Sequence, residues 1–296
     1  MKKVGFIGFG EVGYTFAKGI KDFTQGKCRI YAYDANQNND WQGKLIQNRA
    51  SEVGVTLAKD MNQLAELSEI IIGLVPAGIS VKVAGELVRK LKDGQVYCDF
   101  SSASPVSKVE INEMFADSEA SFIDGAIMGS MASYGFRAPI FISGQSVKKV
   151  AHDLTDIGFN VRIAGSNPGA ASTIKMLRAS FTKGIEALIF ETFYAAKIFD
   201  VEDTVLEILA DTFDNETFSQ SVNRYLTSGA IHARRRADEV AGVIGLLESA
   251  KIEPFMAQGT YQRLTWVADM NLKELYNGIT PEDYRDVLNK LKEKNE

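Results

Sequence analysis

Short apolar runs alternate with amphipathic stretches along the first half of the chain. The apolar runs predict buried strands at residues 3–8, 28–34, 70–76, 95–102, 121–127, 138–144 and 160–165. The stretches between them predict helices at residues 12–22, 61–69, 84–94, 107–117 and 146–158. In the first of these helices, Val12, Phe16 and Ile20 share one face. Strands that alternate with helices favour a parallel, doubly wound sheet, so residues 1–164 are predicted to form an α/β domain.

The pattern changes near Gly165. From Pro168 onward no stretch predicts a strand, and Pro168 suits the start of a helix. Residues 169–199 contain few helix breakers and predict one helix about 45 Å long, at about 1.5 Å per residue. Further helices are predicted at residues 201–213, 219–250, 253–271 and 281–296. We therefore expect residues 165–296 to form an all-α domain for substrate binding and dimerisation, built on a long interdomain helix.

Three glycines follow the first predicted strand with the spacing GxGxxG. The stretch consists of Gly8, Phe9, Gly10, Glu11, Val12 and Gly13. In a Rossmann fold the first glycine makes the turn, the second lets the backbone approach a pyrophosphate, and the third lets the helix pack on the strand. The pyrophosphate binds at the helix N-terminus. The loop predicts a dinucleotide site, with a structural turn or another nucleotide-like ligand as alternatives.

The ends of the later strands supply further candidate contacts. Asp34 can accept hydrogen bonds from both ribose hydroxyls of an adenosine, and its charge would repel a 2′-phosphate. No arginine follows it in YDANQNN, so NAD is favoured over NADP as the cofactor. Val75 and Pro76 end one strand, and Ser101 and Ser102 end the next, at the edge where such sheets bind ligands. The serine hydroxyls could contact nicotinamide or substrate, or they could be helix caps or turn residues.

Composition argues against several other classes of function. The 296 residues carry a net charge of −5, which provides no drive toward nucleic acid or an anionic membrane. Cys28 and Cys98 form no CxxC motif and the two histidines offer no ligand spacing, so reduced thiols and no metal site are expected. Without a signal peptide or an apolar run of about 18 residues, a cytoplasmic protein is expected.

Four stretches, taken in order, resemble the β-hydroxyacid dehydrogenase superfamily, which includes 3-hydroxyisobutyrate and 6-phosphogluconate dehydrogenases. They are GFIGFGEVG, DFSSASP, FIDGAIMGS and GAASTIKML. The resemblance spans nearly the whole chain and is strongest toward members known only as phosphogluconate dehydrogenase-like NAD-binding proteins. It implies a nicotinamide-dependent dehydrogenase with a Rossmann domain, a helical domain and a homodimeric assembly.

The resemblance also implies that Lys175, in STIKML, is the general acid/base. An amine whose pKa is lowered by desolvation can take a proton as hydride leaves an alcohol, or deliver one to a carbonyl. The alternative is a lysine that extends from a helix surface into water. Two positions depart from the family pattern, since Ala179 replaces an asparagine and Met128 replaces a serine. Ser130 and the backbone at Gly129 could still hold a carboxylate.

A basic cluster in the third predicted helix of the all-α domain contains His232 and three consecutive arginines, of which Arg235 and Arg236 share a face with His232. Arginine can bind a carboxylate or phosphate through two parallel hydrogen bonds. The cluster could therefore join Arg178 in an anion pocket for a small acidic substrate, phosphorylated or not, completed across a dimer interface. The alternatives are ion pairs with neighbouring acids or a solvated surface.

Together these features predict an NAD(P)-dependent oxidoreductase that transfers a hydride between nicotinamide and a small β-hydroxyacid or β-carbonyl acid, with Lys175 as the proton carrier. An imine reductase on the same scaffold is one alternative, because Ala179 cannot make the asparagine's hydrogen bond. A non-catalytic NAD-binding sensor is the other. The expected partners are the small acid and a second copy of the chain.

Overall fold

The computed structural model describes residues 1–295 and divides into two compact units. One unit comprises Met1–Ser180, and the other begins at Phe181. Each unit has its own buried apolar clusters. Among the described residues, no helix combines the length and the apolar character that a membrane span requires.

The first unit consists of eight strands and the helices that connect them. The strands are β1 (Lys3–Ile7), β2 (Arg29–Tyr33), β3 (Thr56–Leu57), β4 (Ile70–Gly73), β5 (Val96–Asp99), β6 (Ser121–Ile127), β7 (Ile140–Ser143) and β8 (Val161–Gly165). The helices are α1 (Glu11–Phe23), α2 (Gln42–Val53), α3 (Met61–Leu67), α4 (Ser80–Val88), α5 (Pro105–Met114), α6 (Met131–Tyr134), α7 (Val147–Asp156) and the first turns of α8 (Ala170–Ile198). Short 3-10 turns lie at Ala77–Ile79 and Gly135–Arg137.

The strands form one sheet in the order β3-β2-β1-β4-β5-β6-β7-β8, which confirms the predicted doubly wound α/β fold. All neighbouring strands are parallel except β6 and β7. Only α6 and one 3-10 turn connect that pair. β7 runs antiparallel to β6, and β8 then pairs with β7 in parallel. The strand order reverses between β1 and β4, and ligands of such sheets bind at the carboxyl ends of strands around this point.

Apolar side chains cover both faces of the sheet. On one face, Phe16 and Ile20 of α1 are completely buried and pack in a cluster that includes Val150 of α7. On the other face, Leu87 of α4 and Ile111 of α5 are completely buried in a second cluster. A sheet covered on both faces explains why its strands are nearly continuous apolar runs in the sequence.

Several elements differ from the sequence prediction: the short elements β3, α6 and α12 were not predicted, and two longer helices, α4 and α2, also depart from it. The helix expected at residues 84–94 is α4, which begins at Ser80 and ends at Val88. Beyond it, the N–H groups of Lys90 and Leu91 bond to carbonyls three residues earlier, so the chain tightens into a turn and the α-helix stops. Helix α2 is not predicted by the hydrophobic pattern, because its sequence is mainly polar and only a few small or aliphatic positions are buried.

The described residues of the second unit contain helices and no strand, as predicted. The unit contains the remainder of α8 together with α9 (Glu202–Asp214), α10 (Phe218–Ser249), α11 (Phe255–Asp269), α12 (Leu272–Leu275) and α13 (Tyr284–Asn295). The predicted helix 281–296 corresponds to α13, and its last residue, Glu296, lies outside the described residues. Thr217 and Gln220 form a capping box at the start of α10, and Glu191 of α8 accepts two backbone N–H bonds at the start of α11.

The predicted domain boundary at residue 164 falls where the strands end. The last strand ends at Gly165 and α8 begins at Ala170. The division into compact units falls later, after Ser180, within α8. The boundary between independently folding domains therefore stays a prediction.

Candidate functional site

The glycine loop lies between β1 and α1, as the motif predicts. Gly8 has a φ of +90°, which residues with a side chain rarely adopt, and a Cβ there would lie 2.8 Å from Leu74 O. Gly13 is also confined, because its Cβ would lie 2.9 Å from Gly8 O. Both glycines are needed to close the turn and to seat α1 on β1.

Gly10 differs from the other two glycines because the described residues leave open space around it. Apart from its two chain neighbours, no residue of 1–295 has an atom within 4 Å of the position that a Cβ at Gly10 would take. Gly10 is the N-cap of α1, and no described side chain caps that end of the helix. Glu11 is exposed and Val12 is half-buried in the first turn. Open space beside free N–H groups is what a closely approaching pyrophosphate requires, so the loop fits a dinucleotide.

Asp34 lies just after β2 and is tied to the glycine loop. Its Oδ2 accepts a hydrogen bond from Phe9 N–H at 2.8 Å, and its Oδ1 accepts one from Asn36 N–H at 2.9 Å. These bonds orient the carboxylate, and each oxygen retains a lone pair for a further donor. The Phe9 side chain is completely buried, so its contribution to the loop is the backbone N–H. An oriented acceptor at this position fits a ribose hydroxyl.

The next predicted contacts follow β4 and β5 at the carboxyl edge of the sheet. Val75 is half-buried and Pro76 is exposed. Ser101 is buried, and its hydroxyl donates to Asp99 Oδ2 at 3.0 Å. The Ser101 side chain thus stabilises a turn, which is the alternative that the sequence left open. Ser102 is exposed, so its hydroxyl remains accessible at this edge.

Lys175 lies in the second turn of α8 with a half-buried side chain. Its Nζ donates a hydrogen bond to Ser102 Oγ at 3.0 Å, so the amine reaches the carboxyl edge of the sheet. Burial lowers the pKa of Lys175 below its usual 10.5, and the positive charge of Lys108 lowers the pKa further, whereas Asp124 acts in the opposite direction. Lys175 is therefore not a freely solvated lysine.

Sequence reasoning missed a buried ion cluster close to Lys175. It consists of Lys108, Asp99 and Asp124, all completely buried. Lys108 Nζ lies 3.0 Å from Asp99 Oδ2 and 3.5 Å from Asp124 Oδ1. A signal for the cluster was present, because Lys108 and Ile111 share the buried face of α5. The two aspartates also stand at paired positions of β5 and β6, in strands whose central residues are buried.

The start of α8 is fixed to the same cluster. Asp124 Oδ1 accepts a hydrogen bond from Ser172 Oγ at 2.7 Å, and Asp124 Oδ2 accepts bonds from Ser172 N–H and Ser143 Oγ, both at 3.0 Å. Ser143 Oγ in turn accepts a bond from Ala171 N–H at 3.1 Å. These bonds satisfy N–H groups in the first turn of α8 and orient the helix that carries Lys175.

The loop after β6 holds Gly129 and Ser130, which the sequence predicts to bind the acid group of the substrate. Gly129 has a φ of +114°, a conformation that favours glycine. Ser130 is exposed, and its Oγ accepts a hydrogen bond from Ala132 N–H at 3.1 Å. Met128, which replaces the serine of the resembling family, is buried in a small cluster with Ala171. Met128 therefore contributes packing to this loop, where the family has a hydroxyl.

The remaining predicted contacts are Arg178, His232 and Arg235. Arg178 is exposed on α8, about one turn beyond Lys175. His232 and Arg235 are exposed on α10 of the helical unit. Arg235 Nη1 lies 2.6 Å from Glu239 Oε1, so the alternative of pairing with a neighbouring acid is observed for this arginine. The anion pocket itself stays a prediction.

The first unit has the features of a Rossmann-type dinucleotide-binding domain. They are a glycine turn after the first strand, a helix N-terminus that no described side chain caps, and an oriented acid after the second strand. Comparison with known families agrees with this class. Residues 3–165 match the NAD binding domain of 6-phosphogluconate dehydrogenase, and residues 196–267 match a domain of unknown function (DUF1932). The chain belongs to the 6-phosphogluconate dehydrogenase-like family of nicotinamide-dependent oxidoreductases, which confirms the superfamily expected from its motifs.

Individual relatives match over most of the chain. An uncharacterized 28.5 kDa protein in the 7S RNA 5′ region of Methanothermus fervidus is 30% identical over 258 residues, 87% of this chain and 96% of that protein. The structure of conserved protein MTH1747, of unknown function and described as similar to 3-hydroxyacid dehydrogenases, is 31% identical with a TM-score of 0.63, over 90% of this chain and 97% of that one. A variant imine reductase from Myxococcus stipitatus in complex with NAD+ has a TM-score of 0.73 at 15% identity, over 98% of this chain and 99% of that one. At that identity the likeness to the imine reductase shows the fold alone.

The substitutions Gly10→Ala and Gly13→Ala should have different effects, the first mainly on NADH binding and the second mainly on stability. Gly10→Ala should change the free energy of unfolding by less than about 1 kcal/mol, because the added Cβ meets no described atom. It should nevertheless weaken NADH binding roughly tenfold or more by filling the space needed by the pyrophosphate. Gly13→Ala should lower the free energy of unfolding by roughly 1–3 kcal/mol, because its Cβ would press on Gly8 O. Denaturant unfolding and NADH fluorescence titration measure both effects, and unchanged NADH affinity in Gly10→Ala would contradict the site.

Proposed function

We propose that the chain is an NAD-dependent dehydrogenase or reductase of a small acid with a hydroxyl or carbonyl group at its β-carbon. When bound, the nicotinamide supplies or accepts the hydride. The observation that carries the proposal is the amine of Lys175, which is half-buried, lowered in pKa and hydrogen-bonded to Ser102 at the carboxyl edge of the sheet. Sheets of this type bind their ligands at that edge.

Lys175 is proposed as the general acid/base. Removal of hydride from an alcohol carbon requires loss of the hydroxyl proton, and reduction of a carbonyl requires delivery of one. Because its pKa is lowered, a larger fraction of Lys175 than of an ordinary lysine is neutral near pH 7 and able to accept a proton. Ser102, whose Oγ accepts a hydrogen bond from Nζ, is proposed to orient the amine and to contact the substrate.

The acid group of the substrate is proposed to bind at the loop after β6. The exposed Ser130 hydroxyl and the backbone beside Gly129 support this assignment. Arg178 is proposed to supply positive charge for a carboxylate or phosphate, since guanidinium groups bind both well. His232 and Arg235 of the helical unit are proposed as further anion-binding residues. The better-known relatives use a serine where this chain has Met128, so their substrates are not transferred to it.

NAD is proposed as the preferred cofactor. Asp34 has a carboxylate oriented by the glycine loop, and the YDANQNN segment contains no arginine that could receive a 2′-phosphate. A negative charge at this position favours ribose hydroxyls and repels a phosphate.

Imine reduction is the alternative chemistry. Ala179, one turn beyond Lys175, has no side-chain hydrogen bond to offer a hydroxyacid. A substrate panel must therefore include cyclic imines beside the small acids. A chain that binds NADH and turns over none of these compounds would instead be a sensor.

A homodimer is proposed from the surface of the helical unit. Large apolar side chains are strongly exposed there, among them Phe190 and Phe255, each 71% exposed, and Ile208, 61% exposed. Exposed apolar surface of this kind is typical of protein–protein interfaces.

Lys175→Met should lower kcat by about 10²–10⁴-fold and leave the Kd for NADH unchanged, because the amine moves a proton and does not hold the cofactor. Lys183→Met is a matched control, since Lys183 is an exposed lysine of the same helix, and it should retain full activity. Steady-state kinetics on β-hydroxyacids, β-carbonyl acids and cyclic imines with both nicotinamides provide the measurement. Unimpaired turnover by Lys175→Met would rule out the assigned role.

The pH profile of the parent enzyme adds to this test. Alcohol oxidation needs the neutral amine, so its rate should rise with pH and level off at a pKa below 10.5. The same titration step should be missing from any residual activity of Lys175→Met.

Asp34→Asn should reduce the preference for NADH over NADPH roughly tenfold, because the substitution removes the charge that repels a 2′-phosphate. Asp40→Asn, which changes an exposed acid just after the YDANQNN segment, should leave the preference for NADH over NADPH unchanged. The measurement is the Kd for NADH and for NADPH, determined for the parent protein and for both variants. Tighter binding of NADPH than of NADH by the parent protein would contradict the proposed cofactor.

Sedimentation at micromolar concentration should show two chains per particle. Phe190→Glu should weaken this association, because a charge would enter the apolar surface of the helical unit. Trp41→Glu is the control, because Trp41 is a large apolar side chain of the first unit that is 76% exposed. This substitution should have no effect on assembly. A parent protein that sediments as a 32.5 kDa monomer would refute the dimer.

A further inference from the structure

Lys108 is a completely buried lysine that the proposed reaction does not use directly. Its Nζ lies 3.0 Å from Asp99 Oδ2 and 3.5 Å from Asp124 Oδ1, and it donates to the carbonyl oxygens of Asp99 and Ser101 at 2.7 and 3.3 Å. Burial of a charge is costly unless the charge is paired and hydrogen-bonded. Contacts to both carboxylates and to both carbonyls hold this ammonium group in one position.

Lys108 fixes the bend that carries Ser102. The ammonium group binds carbonyl oxygens two residues apart in this bend, those of Asp99 and Ser101. The N–H and the hydroxyl of Ser101 bind the carboxylate of Asp99 at 3.0 Å. Since the residue before it is held by all these bonds, Ser102 leaves the bend in a defined direction.

Asp124 fixes the helix that carries Lys175. It accepts hydrogen bonds from both the N–H and the hydroxyl of Ser172, which precedes Lys175 by less than one turn of α8. Of the two carboxylates that pair with Lys108, that of Asp99 therefore contacts the bend that carries Ser102, and that of Asp124 contacts the helix that carries Lys175. The side chains that those segments carry, Ser102 and Lys175, meet at 3.0 Å.

We propose that Asp99, Lys108 and Asp124 form a positioning cluster, which holds Lys175 and Ser102 against each other and acts on the reaction through the Lys175 amine. The proposal rests on the proposed role of Lys175 as proton carrier. The geometry is supported by electrostatics, because Lys108 on α5 disfavours the protonated amine and Asp124 on β6 favours it. Asp99 on β5 carries the remaining charge of the cluster. Arg178 is a charged residue of α8 itself, about one turn beyond Lys175.

The test measures protonation of Lys175 and requires no substrate. Acetylation by acetic anhydride at a series of pH values, followed by mass spectrometry, reports the neutral fraction of each lysine, because only the neutral amine reacts. Lys108→Met should raise the pKa of Lys175 and slow its acetylation at pH 8 roughly threefold or more. Asp124→Asn should lower that pKa and accelerate acetylation, while Lys183 in the same samples should be unaffected and serves as the internal control.

A double variant separates charge from structure. The parent cluster has two aspartates and one lysine, a net charge of −1, and Lys108→Met/Asp124→Asn retains only the Asp99 carboxylate, again −1. The double variant should therefore return toward the parent rate of acetylation. If the cluster only supported the fold, every variant would loosen the start of α8, raise the pKa of Lys175 toward 10.5 and slow acetylation, with the double variant slowest.

Circular dichroism and NADH titration establish which variants fold. Slower acetylation in a folded Asp124→Asn protein, or a double variant slower than both single variants, would overturn the proposal. If Lys108→Met alone fails to fold, the other two variants still decide. Failure of all three to fold would assign the cluster to folding and equally overturn it.

The outcome is distinguishable from that of the proposed function. If acetylation shifts in opposite directions while Lys175→Met keeps its turnover, the cluster controls the amine but the amine does not carry the proton. If Lys175→Met is inactive while acetylation of Lys175 is unchanged in the cluster variants, the catalytic role stands and the positioning cluster does not.

Discussion

The candidate site depends on one buried ammonium group held between two buried carboxylates. Lys108, Asp99 and Asp124 are removed from water, and pairing and hydrogen bonds offset the cost of burying each charge. Removal of one partner from such a set typically costs about 3–5 kcal/mol, since it leaves an uncompensated charge in the interior. The cluster joins two neighbouring strands to α5 and, through Ser172, to the start of α8. The same three charged side chains therefore hold together β5, β6, α5 and the start of α8 at the carboxyl edge of the sheet.

The dinucleotide site is built on a different principle. It depends on space and backbone geometry, because Gly8 and Gly13 permit the close turn while Gly10 leaves room for a ligand. Asp34 is the side chain proposed to add specificity, and the loop itself orients it through Phe9 N–H. Family membership therefore establishes a nicotinamide cofactor and an oxidoreductase reaction. The substrate, in contrast, is proposed only by its chemical class. Met128 and Ala179, which replace side chains usual in the family, bear on the proposed substrate site and leave the dinucleotide loop unchanged.

Much of the architecture could be predicted because hydrophobic periodicity is a local property. The strand-helix alternation, the all-helical second half and the long helix α8 follow from it. The exceptions have physical causes. Helix α2 has a polar sequence and is stabilised by packing of a few residues such as Ile46. The antiparallel pairing of β7 with β6 is a tertiary contact that hydrophobic periodicity does not specify. Two adjacent serines were predicted at the site. In the structure the Ser101 hydroxyl bonds to Asp99 within a turn, and the Ser102 hydroxyl contacts Lys175.

The sequence by itself determined most of the order of elements, the glycine turn, the acid after β2 and the helix that carries Lys175, because each depends on spacing between nearby residues. Only the tertiary structure decided that Lys175 reaches Ser102, 73 positions away in the chain, and that Ser172 binds Asp124, 48 positions away. It also decided that an aspartate on each of two strands shares the lysine of α5. Contacts of this kind depend on strand order and packing, and no local pattern of polar and apolar residues specifies them.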